Sequence, residues 1–389
     1  MPSSRTVFAE LMTHVSQHKF QTCVARYGGD YKASRFSCWD QYLCMAFAQL
    51  TYRESLRDIE ACLRAVQSRL YHVGIRARIS RSTLADANET RDWRIYADFA
   101  QGLILTARDL YVDDPLAVDL ANTVYALDAT IIDLCLSVFP WAHYRRRDAA
   151  VKLHTQLDLR GMIPTIVQIT EGKRADVTFL DDLIIEPGAI YIMDRGYVDF
   201  ARLHRFVDEA AFFVTRTKRG IRFRRRVSRP VDFATGLLSD HTVGLVTADA
   251  RRSYPAVLRR VRYVDPKTKK RLAFLTNNFT LPALTIAHLY RSRWAVELFF
   301  RWIKSHLRLK AFYGTSENAV KTQIWIALSV YVLVAIVKKR LALDVSLYKL
   351  LQILSVTLFA KTPISIAVFD AGSQFQDIDD GNQLQLFDL

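Results

Sequence analysis

Tyr290–His306 reads YRSRWAVELFFRWIKSH, and this stretch decides how the rest of the chain is interpreted. At about 100° per residue, four of its polar side chains share a helical stripe no wider than about 60°. They are Tyr290, Arg293, Glu297 and Lys304. A carboxylate among cations suits metal-assisted chemistry on a phosphodiester, with Glu297 on a divalent cation and Arg293 and Lys304 on phosphate oxygens. The alternative is a solvated helix face with ion pairs.

The composition favours a folded protein with a polyanionic partner. The 389 residues are 50% hydrophobic and 12% aromatic, which allows a large core and two or three structural units. The net charge of +15 and a pI near 9.6 make nucleic acid the leading candidate partner. A basic globular protein without such a partner is the alternative.

Cysteine usage and hydropathy predict a cytoplasmic protein that does not span a membrane. The five cysteines are scattered and show no C-x-x-C spacing, which argues against a zinc site or a disulfide framework. The N-terminal residues lack the apolar core of a signal peptide. The longest apolar run, Ile324–Val337, is short for a bilayer and predicts a buried helix.

Hydrophobic periodicity separates a helical first part from an α/β remainder. In residues 1–117, Arg76, Arg78 and Arg81 lie beside a predicted Ser82-Thr83 helix cap, which is a natural phosphate site. We therefore expect an N-terminal DNA-binding domain there, and a purely structural helical region is the alternative. The further predicted parts are an α/β core in residues 118–217 and 279–345, a β-rich insertion without helices in 218–278, a helical region in 346–369 and a flexible tail in 370–389.

Two predicted core strands end in a carboxylate. Val124–Asp128 is apolar up to its Asp128, and Ile131–Phe139 could pair with it as a hairpin. Ala189–Met193 is a buried type of strand that Asp194 follows, and the preceding Asp176–Ile184 predicts a helix. Since ligands converge at strand ends in α/β sheets, we expect the two aspartates to lie close together.

Together with Glu297, these aspartates form a set of three oxygen-donating carboxylates. Such a set suits Mg²⁺ or Mn²⁺ and not zinc. Two ions about 4 Å apart could activate an attacking oxygen and stabilise a leaving oxygen in an in-line displacement. A single strand-terminal aspartate is usually a turn residue, but two of them followed by Glu297 in its polar stripe are harder to explain that way.

The order of these motifs resembles a known family. Asp128 stands in LDAT, Asp194 stands in MDRGY, and Y-x2-R-x3-E-x6-K runs from Tyr290 to Lys304. This pattern looks like the YREK signature of bacterial DDE transposases of the insertion-sequence-four family. The resemblance implies an α/β fold with a ribonuclease-H-like mixed-sheet core, interrupted by a β-rich insertion and preceded by a helical DNA-binding domain. It also implies that Asp128, Asp194 and Glu297 bind the metal ions.

The resemblance and the charge pattern suggest further DNA contacts. Tyr290, Arg293 and Lys304 match the family's phosphate-contacting positions. Arg195 could reach a phosphate, and Trp294 could stack on an unpaired base or serve as an ordinary core residue. Residues 216–229 hold eight basic residues and no acidic one, which favours backbone contacts over a solvated loop. The arginines chosen there are Arg222, Arg224, Arg225 and Arg226.

The sequence therefore predicts a cut-and-paste transposase of an insertion sequence. We expect it to bind double-stranded DNA at terminal inverted repeats and target sites, to act as a homodimer in the DNA complex, and to cleave and transfer strands with two Mg²⁺ or Mn²⁺ ions. The alternatives are a structure-selective nuclease on the same fold and an inactive DNA-binding derivative.

The chain ends in a short apolar motif after a polar tail. Residues 383–387 read QLQLF, so that apolar side chains return with little left to fold against. The motif resembles the peptide by which bacterial proteins dock on the replication sliding clamp, and the candidate contacts are Gln383, Leu384, Leu386 and Phe387. Folding of the tail onto the protein itself is the alternative.

Overall fold

The computed structural model describes residues 5–31, 33, 35–76, 78–116, 120–145, 148–306 and 312–373. The chain forms two compact units. The first comprises Met1–Asp113, Ile132–Ala150 and Phe300–Leu389, and the second comprises Asp114–Ile131 and Val151–Phe299.

Helices make up most of the first unit, and the second unit has helices of its own beside its sheet. They are α1 (Val7–Thr13), α2 (Gln17–Arg26), α3 (Cys38–Leu50), α4 (Leu56–Ala65), α5 (Gln67–Leu70), α6 (Arg81–Thr90), α7 (Arg94–Tyr111), α8 (Phe200–Asp208), α9 (Ala248–Ser253), α10 (Ala283–Ser292), α11 (Trp294–His306), α12 (Glu317–Arg340), α13 (Leu347–Thr357) and α14 (Ile364–Ser373). Short 3₁₀ helices are Tyr71–Val73, Pro140–Ala142, Asp176–Asp182, Arg195–Tyr197 and Phe233–Thr235.

The strands form one mixed sheet. They are β1 (Val124–Leu134), β2 (His143–Arg145), β3 (Asp148–Asp158), β4 (Ile163–Glu171), β5 (Ile190–Met193), β6 (Phe212–Arg216), β7 (Phe223–Arg229), β8 (Leu237–Leu245), β9 (Leu258–Val264) and β10 (Arg271–Thr276). From β3 onward, the strand order in the sheet is β3-β1-β5-β6-β10-β9-β8-β7, and β4 pairs with β3.

The first unit is organised around α12. This helix is apolar along most of its length and packs on α7 and α3. Its 24 residues are long and apolar enough to span a bilayer, which corrects the shorter run expected from the sequence, but 94% of its most apolar window is buried inside the protein. The hydroxyl of Tyr111 on α7 donates to the Ala335 carbonyl of α12 at 2.8 Å. Burial of α12 therefore agrees with the predicted core helix.

Serine caps define the helix starts of the N-terminal region. Ser37 and Asp40 form a capping box at α3, in which each side chain accepts from the other residue's backbone N–H. At α6 the cap is Ser80, whose hydroxyl accepts from the Thr83 backbone N–H at 3.2 Å. The predicted Ser82-Thr83 cap is therefore wrong by two residues, because Ser80 already satisfies a free N–H of the first turn.

Parallel strands form the centre of the second unit. β1 pairs with β5 from Val124↔Ile190 to Leu127↔Met193, and β5 pairs in parallel with β6. Alternate side chains enter two hydrophobic clusters on opposite faces, since Leu127 belongs to one and Val124 to the other. α8 contributes Leu203 and Phe206 to the first cluster. α10 contributes Ile286, Leu289 and Tyr290 to the second. Both faces of the central strands are thus covered, as parallel sheets require.

The region between β6 and α10 extends the same sheet with antiparallel strands. β10 pairs with β6 and β9, β9 pairs with β8, and β8 pairs with β7 at the sheet edge. This agrees with a β-rich insertion. The expectation that no helix interrupts it is wrong, because α9 lies between β8 and β9. α9 is only 6 residues long and exposed, so it leaves no hydrophobic periodicity to detect.

Three other local predictions are corrected. β1 continues through residue 134 instead of turning back at Asp128, so the proposed hairpin with Ile131–Phe139 does not form. Asp176–Asp182 is a 3₁₀ helix and not an α-helix. The stretch Tyr290–His306 is not one helix, because α10 ends at Ser292 and α11 begins at Trp294.

The predicted fold class is confirmed. The second unit contains a mixed α/β sheet in which β3, β1, β5 and β6 are successive neighbours and β4 pairs with β3. A β-rich insertion follows β6, and helices precede β1.

Candidate active site

Asp128 and Asp194 lie side by side at the carboxyl edge of the parallel strands. The last paired residues of β1 and β5 are Leu127 and Met193, and each aspartate follows directly. Since side chains alternate between faces, both carboxylates belong to the face that α10 covers. The local sequence therefore directs two carboxylates to the end of the helix that carries Tyr290.

Arg293 connects the first aspartate with the glutamate. Its Nη1 donates to Asp128 Oδ2 at 2.9 Å, and its Nη2 donates to Glu297 Oε1. Arg293 keeps helical backbone angles between α10 and α11, so that Glu297 follows one helical turn later. The Arg293 side chain is 15% exposed, against 21% for Asp128 and 33% for Glu297. The guanidinium is thus enclosed between two carboxylates.

Tyr290 holds the second aspartate. Its hydroxyl donates to Asp194 Oδ1 at 3.3 Å, and its ring packs against Phe274 with 4.9 Å between ring centroids. Arg293 lies beside the same ring at 5.8 Å from its centroid. Tyr290 therefore contacts a carboxylate directly, a role that sequence reasoning did not give it.

Burial sets the electrostatics of this cluster. It raises the pKa of Asp128 to about 6, although the Arg293 charge and a hydrogen bond from the Ala129 backbone act in the other direction. The neighbouring Glu297 and Asp194 raise this pKa further. Burial also raises the pKa of Tyr290, which stays a neutral hydrogen-bond donor near neutral pH. The three carboxylates of this cluster therefore carry more negative charge, when all are ionised, than the Arg293 guanidinium neutralises.

Tyr197 is a site residue that sequence reasoning missed. It is 1% exposed, and its hydroxyl finds no hydrogen-bond partner among the described residues. Burial raises its pKa well above the usual value, and the charges of Asp128, Asp176 and Asp194 add to the effect. The available signal was its position three residues after Asp194 in MDRGY.

The donor set fits a hard divalent cation. Three carboxylates supply only oxygen ligands, which Mg²⁺ and Mn²⁺ prefer. In the described part of the chain, no three His, Cys, Asp or Glu side chains converge to the spacing of a metal-ion site. Arg293 bridges two of the three carboxylates, Asp128 and Glu297. The three carboxylates have the right chemistry for such a cation, and a guanidinium occupies the place between two of them.

Three further predicted DNA contacts are Lys304, Arg195 and Trp294. Lys304 lies on α11, seven residues after Glu297, in the part of that helix that belongs to the first unit. Arg195 is exposed in the 3₁₀ helix after Asp194. Trp294 opens α11 with 43% of its surface exposed, so the interpretation as an ordinary core tryptophan is wrong.

The four chosen arginines of the insertion do not form one surface. Arg222 precedes β7, while Arg224 and Arg225 are neighbours within it and point to opposite faces of the sheet. Arg226 is the extra residue of a bulge, and its guanidinium lies over Gly244. Residues 223–229 form an exposed edge strand, whereas residues 217–222 form the loop before it.

Arg225 instead joins basic residues that sequence reasoning missed. The strand register places it on the same face as His241 of β8 and Arg260 and Arg262 of β9. Burial lowers the pKa of His241, and the charges of these three arginines lower it further. Asp240 points to the other face, where Arg259 binds it with two hydrogen bonds of 2.9 and 2.8 Å. The alternating arginines of LRRVRYV in β9 were the available signal.

This group, which we call the insertion face, carries unbalanced positive charge. Its members are Arg225, His241, Arg260 and Arg262. Within residues 149–304, whose side chains are described without a gap, its three arginines have no carboxylate partner. Arg260 stacks over the Phe223 ring at 5.3 Å, and its buried Nε has no acceptor among the described residues. A face of this kind suits an anionic partner.

Two other predicted sites are the arginines before α6 and the C-terminal tail motif. Arg76 lies over the Tyr71 ring at 5.8 Å from its centroid, in the loop region before α6. The tail motif Gln383–Phe387 lies outside the described residues.

The chain matches two protein-family models. Residues 120–333 match the family described as Transposase DDE domain, and residues 3–76 match a domain of unknown function, DUF4372. The first match spans more than half of the chain and contains Asp128, Asp194 and the whole stripe up to Lys304.

Curated relatives and a solved structure were also found. A putative transposase, y4zB, of Sinorhizobium fredii is 33% identical over 258 residues, which are 65% of this chain and 70% of the relative. A probable transposase for insertion sequence element IS5377 of Geobacillus stearothermophilus is 33% identical over 230 residues, 59% of this chain and 58% of the relative. A piggyBac transposase synaptic complex with hairpin DNA aligns with a TM-score of 0.43 and 10% identity, covering 96% of this chain and 81% of that chain.

These matches identify the family to which the chain belongs. Transposases of insertion sequences act on DNA by cleavage and strand transfer, and enzymes of the DDE class generally use divalent metal ions. The chain belongs to the DDE transposase family.

Proposed function

We propose that this chain is a cut-and-paste transposase of the insertion-sequence-four family and that Asp128, Asp194 and Glu297 are its metal-binding triad. The observation that carries the proposal is the convergence of strand ends and helix start. The two aspartates follow directly paired residues of parallel strands, and Arg293 joins the first of them to Glu297. The YREK spacing from Tyr290 to Lys304 supports the same assignment.

The triad would hold Mg²⁺ or Mn²⁺, with two ions in the working complex. Bound there, the ions would supply activation of an attacking oxygen and stabilisation of the leaving oxygen at the scissile phosphate. Asp128 and Asp194 would offer neighbouring ligands just past the last paired residues of β1 and β5, while Glu297 approaches from α11. Tyr290 orients Asp194 through its hydroxyl, so that one carboxylate oxygen stays available for a cation.

The same site would catalyse both steps of transposition, end cleavage and strand transfer. At the ends of the element, water attacks the phosphodiester and frees a 3′ hydroxyl; this hydroxyl then attacks a target phosphodiester and displaces another 3′ oxygen. Both steps are in-line displacements, so the same carboxylates serve both. Arg293 and Lys304 would neutralise phosphate charge near the cleaved end, and Arg195 could add a backbone contact. The half-exposed Trp294 is available to stack on an unpaired base.

We further propose that the insertion binds the DNA backbone. The arginines of β7 and its flank, namely Arg222, Arg224, Arg225 and Arg226, are exposed. The insertion face adds Arg260 and Arg262 from the neighbouring strands. Charge on an edge strand also discourages strand-to-strand aggregation, which explains β7 alone but not the arginines of the interior strand β9. Phosphate binding accounts for both strands.

The helical residues 1–117 would recognise the terminal inverted repeats. Arg76, Arg78 and the N-terminus of α6 offer positive charge beside free backbone N–H groups. A cytoplasmic location and a homodimer on DNA complete the proposal.

The tail motif carries a separate part of the proposal, namely docking on the replication sliding clamp. Gln383, Leu384, Leu386 and Phe387 would be the anchors. A tail peptide should bind purified clamp, and the same peptide with Leu386→Ala and Phe387→Ala should not. Equal binding by both peptides, or none by the parent, contradicts clamp docking without touching the catalytic proposal.

The triad is tested with Asp128→Asn, Asp194→Asn and Glu297→Gln in a cleavage assay on terminal-repeat DNA. Each variant should lose cleavage and strand transfer in Mg²⁺ and should still shift the same DNA in a gel, because the triad contacts the DNA mainly through metal. Asp133→Asn removes an exposed carboxylate of the same strand as Asp128 and should keep most of the cleavage activity. Near-normal cleavage by any triad variant would show that the assignment is wrong.

A further inference from the structure

Arg293 occupies the place between two members of the proposed triad. Its two terminal nitrogens are divided between Asp128 Oδ2 and Glu297 Oε1. The bridged carboxylates belong to a strand and a helix that are distant in sequence. One guanidinium thus holds together two groups that would otherwise repel each other.

The hydrogen bonding of this guanidinium is incomplete. Arg293 Nε is buried and has no acceptor among the described residues. Buried arginine prefers to satisfy its planar set of donors, and a carboxylate or phosphate can take two of them side by side. Splitting the terminal nitrogens between two carboxylates forgoes such a pairing, whereas a phosphate would restore it.

A divalent cation would have to compete for Asp128, because both of its carboxylate oxygens already accept hydrogen bonds, Oδ2 from Arg293 and Oδ1 from the Ala129 backbone N–H. Mg²⁺ binds carboxylate oxygens at about 2.0–2.1 Å, which is closer than a guanidinium nitrogen at hydrogen-bond distance, so a cation on Asp128 Oδ2 displaces Arg293 from that oxygen. Both are cations, so close approach is also opposed by like-charge repulsion. Entry of the metal therefore requires Arg293 to leave at least one carboxylate.

We propose that Arg293 and the divalent cations compete for Asp128 and Glu297, so that metal loading releases the guanidinium to bind DNA phosphate. This inference rests on the proposed triad. Arg293 is then a positioning residue with two states, one on the carboxylates and one on the phosphate. Linkage makes the effect reciprocal: metal raises the affinity for a cleaved end, and a cleaved end raises the affinity for metal. Free protein would bind metal weakly, which restrains cleavage away from a correct end.

The competition is measured by titrating the DNA-free, full-length protein with Mn²⁺ and following free Mn²⁺ by electron paramagnetic resonance. Arg293→Gln should bind Mn²⁺ about tenfold more tightly than the parent, since one charge this close changes ionic equilibria by about that factor. Arg293→Lys keeps the charge but cannot bridge two carboxylates, so its affinity should lie between the two. Arg291→Gln is the matched control, because it removes an exposed charge of α10 that acts on Asp265 and not on the triad.

Equal or weaker Mn²⁺ binding by both Arg293 variants would overturn the competition. Glu297→Gln separates this failure from failure of the triad itself. If Glu297→Gln lowers Mn²⁺ affinity while the Arg293 variants do not raise it, the triad stands and the competition is wrong. If Glu297→Gln leaves Mn²⁺ binding unchanged, the ion binds elsewhere and the proposed function is contradicted as well.

Two further readouts keep the test independent of variant folding. Mn²⁺ should raise the melting temperature of Arg293→Gln more than that of the parent at equal concentration, because tighter ligands stabilise the native state more. Pre-cleaved end DNA should tighten Mn²⁺ binding to the parent but not to Arg293→Gln. DNA that tightens Mn²⁺ binding equally in both proteins would contradict the release of Arg293 toward phosphate.

Discussion

Asp128 is the residue on which charge and burial conflict most strongly. Its carboxylate is mostly enclosed and lies near two others, and the Arg293 charge and the Ala129 backbone N–H stabilise its ionised form. Its pKa of about 6 in the folded protein is higher than the ordinary value near 3.9. A folded-state pKa above the unfolded one means that the folded protein binds the proton more strongly. Stability therefore falls as pH rises between these two values.

Asp128→Asn should relieve this conflict in a pH-dependent way. The asparagine mimics the neutral acid, so the variant should gain about 1 kcal/mol relative to the parent between about pH 5 and about pH 7.5. Urea unfolding of metal-free protein at both pH values measures the difference. Asp133→Asn, which changes an exposed carboxylate on the same strand, is the control. The same gain in the control, or none in Asp128→Asn, would contradict the burial of charge at this site.

Arg293 and Lys304 should matter after cleavage as well as before it. Replacing either with Ala should weaken binding of pre-cleaved ends by about 1.5–3 kcal/mol, because the variant cannot make a charge-assisted hydrogen bond to phosphate. Fluorescence anisotropy with a pre-cleaved terminal-repeat duplex measures this difference in affinity. Unchanged binding by both variants would remove the phosphate role from the stripe.

For single residues, the sequence predicted which side chains carry the chemistry, but it did not predict which of them contact each other. Asp128, Asp194 and Glu297 were identifiable from strand ends and helical spacing. The Arg293 bridge and the Tyr290–Asp194 hydrogen bond depend on how α10 packs on one face of the sheet, which no local pattern states. Tyr197 was hidden because its buried ring resembles any other core aromatic.

Among the elements, the break between α10 and α11 matters most for the site. Helical periodicity runs through Tyr290–His306 without interruption, so the sequence suggested one helix. Arg293 retains helical backbone angles at the junction, and this is why the stripe still brings Tyr290, Arg293 and Glu297 together. Hydrophobic periodicity predicts the direction of side chains, but it does not show where a helix ends. No proline or glycine marks the junction between α10 and α11, so nothing in the sequence indicated this break.

The strands of the insertion show a similar limit. The basic run of β7 was visible in sequence, but its partners were not, because strand register sets which arginines share a face. The bulge between Arg225 and Val227 shifts that register by one residue. Only the pairing of β7, β8 and β9 reveals the insertion face.

The insertion face should supply part of the sequence-independent DNA affinity. Replacing Arg225, Arg260 and Arg262 together with Gln should flatten the slope of log K against log salt, by about 0.9 for each phosphate that the variant no longer neutralises. Binding to a non-specific duplex at several salt concentrations gives the slope.

The control for this measurement is Arg251→Gln with Arg252→Gln on α9. These exposed arginines belong to the same insertion, but they lie on α9 and not on the strands that form the insertion face. Their removal should change the slope less than the triple substitution does. Equal slopes for the parent and the triple variant would show that the face does not bind phosphate.

For the molecule as a whole, the strand order was the part that sequence could support only through family resemblance. Period-two alternation and buried strands predicted a mixed sheet, yet they cannot state that β1 lies between β3 and β5. That order places Asp128 beside Asp194, so the topology itself builds the site. Long-range pairing leaves no trace in local composition.

The proposed homodimer is a property of the DNA complex. One active site acts on one end, and joining both ends of an element to a target requires two. Mass photometry with a terminal-repeat duplex should therefore show complexes that contain two copies of the 44.7 kDa chain. A scrambled duplex is the control, and a single copy per pair of ends would contradict the dimer.

The central claim is that three carboxylates hold the metal ions that act on DNA. Anomalous diffraction at the manganese edge, from crystals of the protein with pre-cleaved end DNA and Mn²⁺, tests it directly. We predict Mn²⁺ peaks within about 2.0–2.4 Å of oxygens of Asp128, Asp194 and Glu297, with Arg293 no longer between the carboxylates. Peaks held by other side chains would contradict the account.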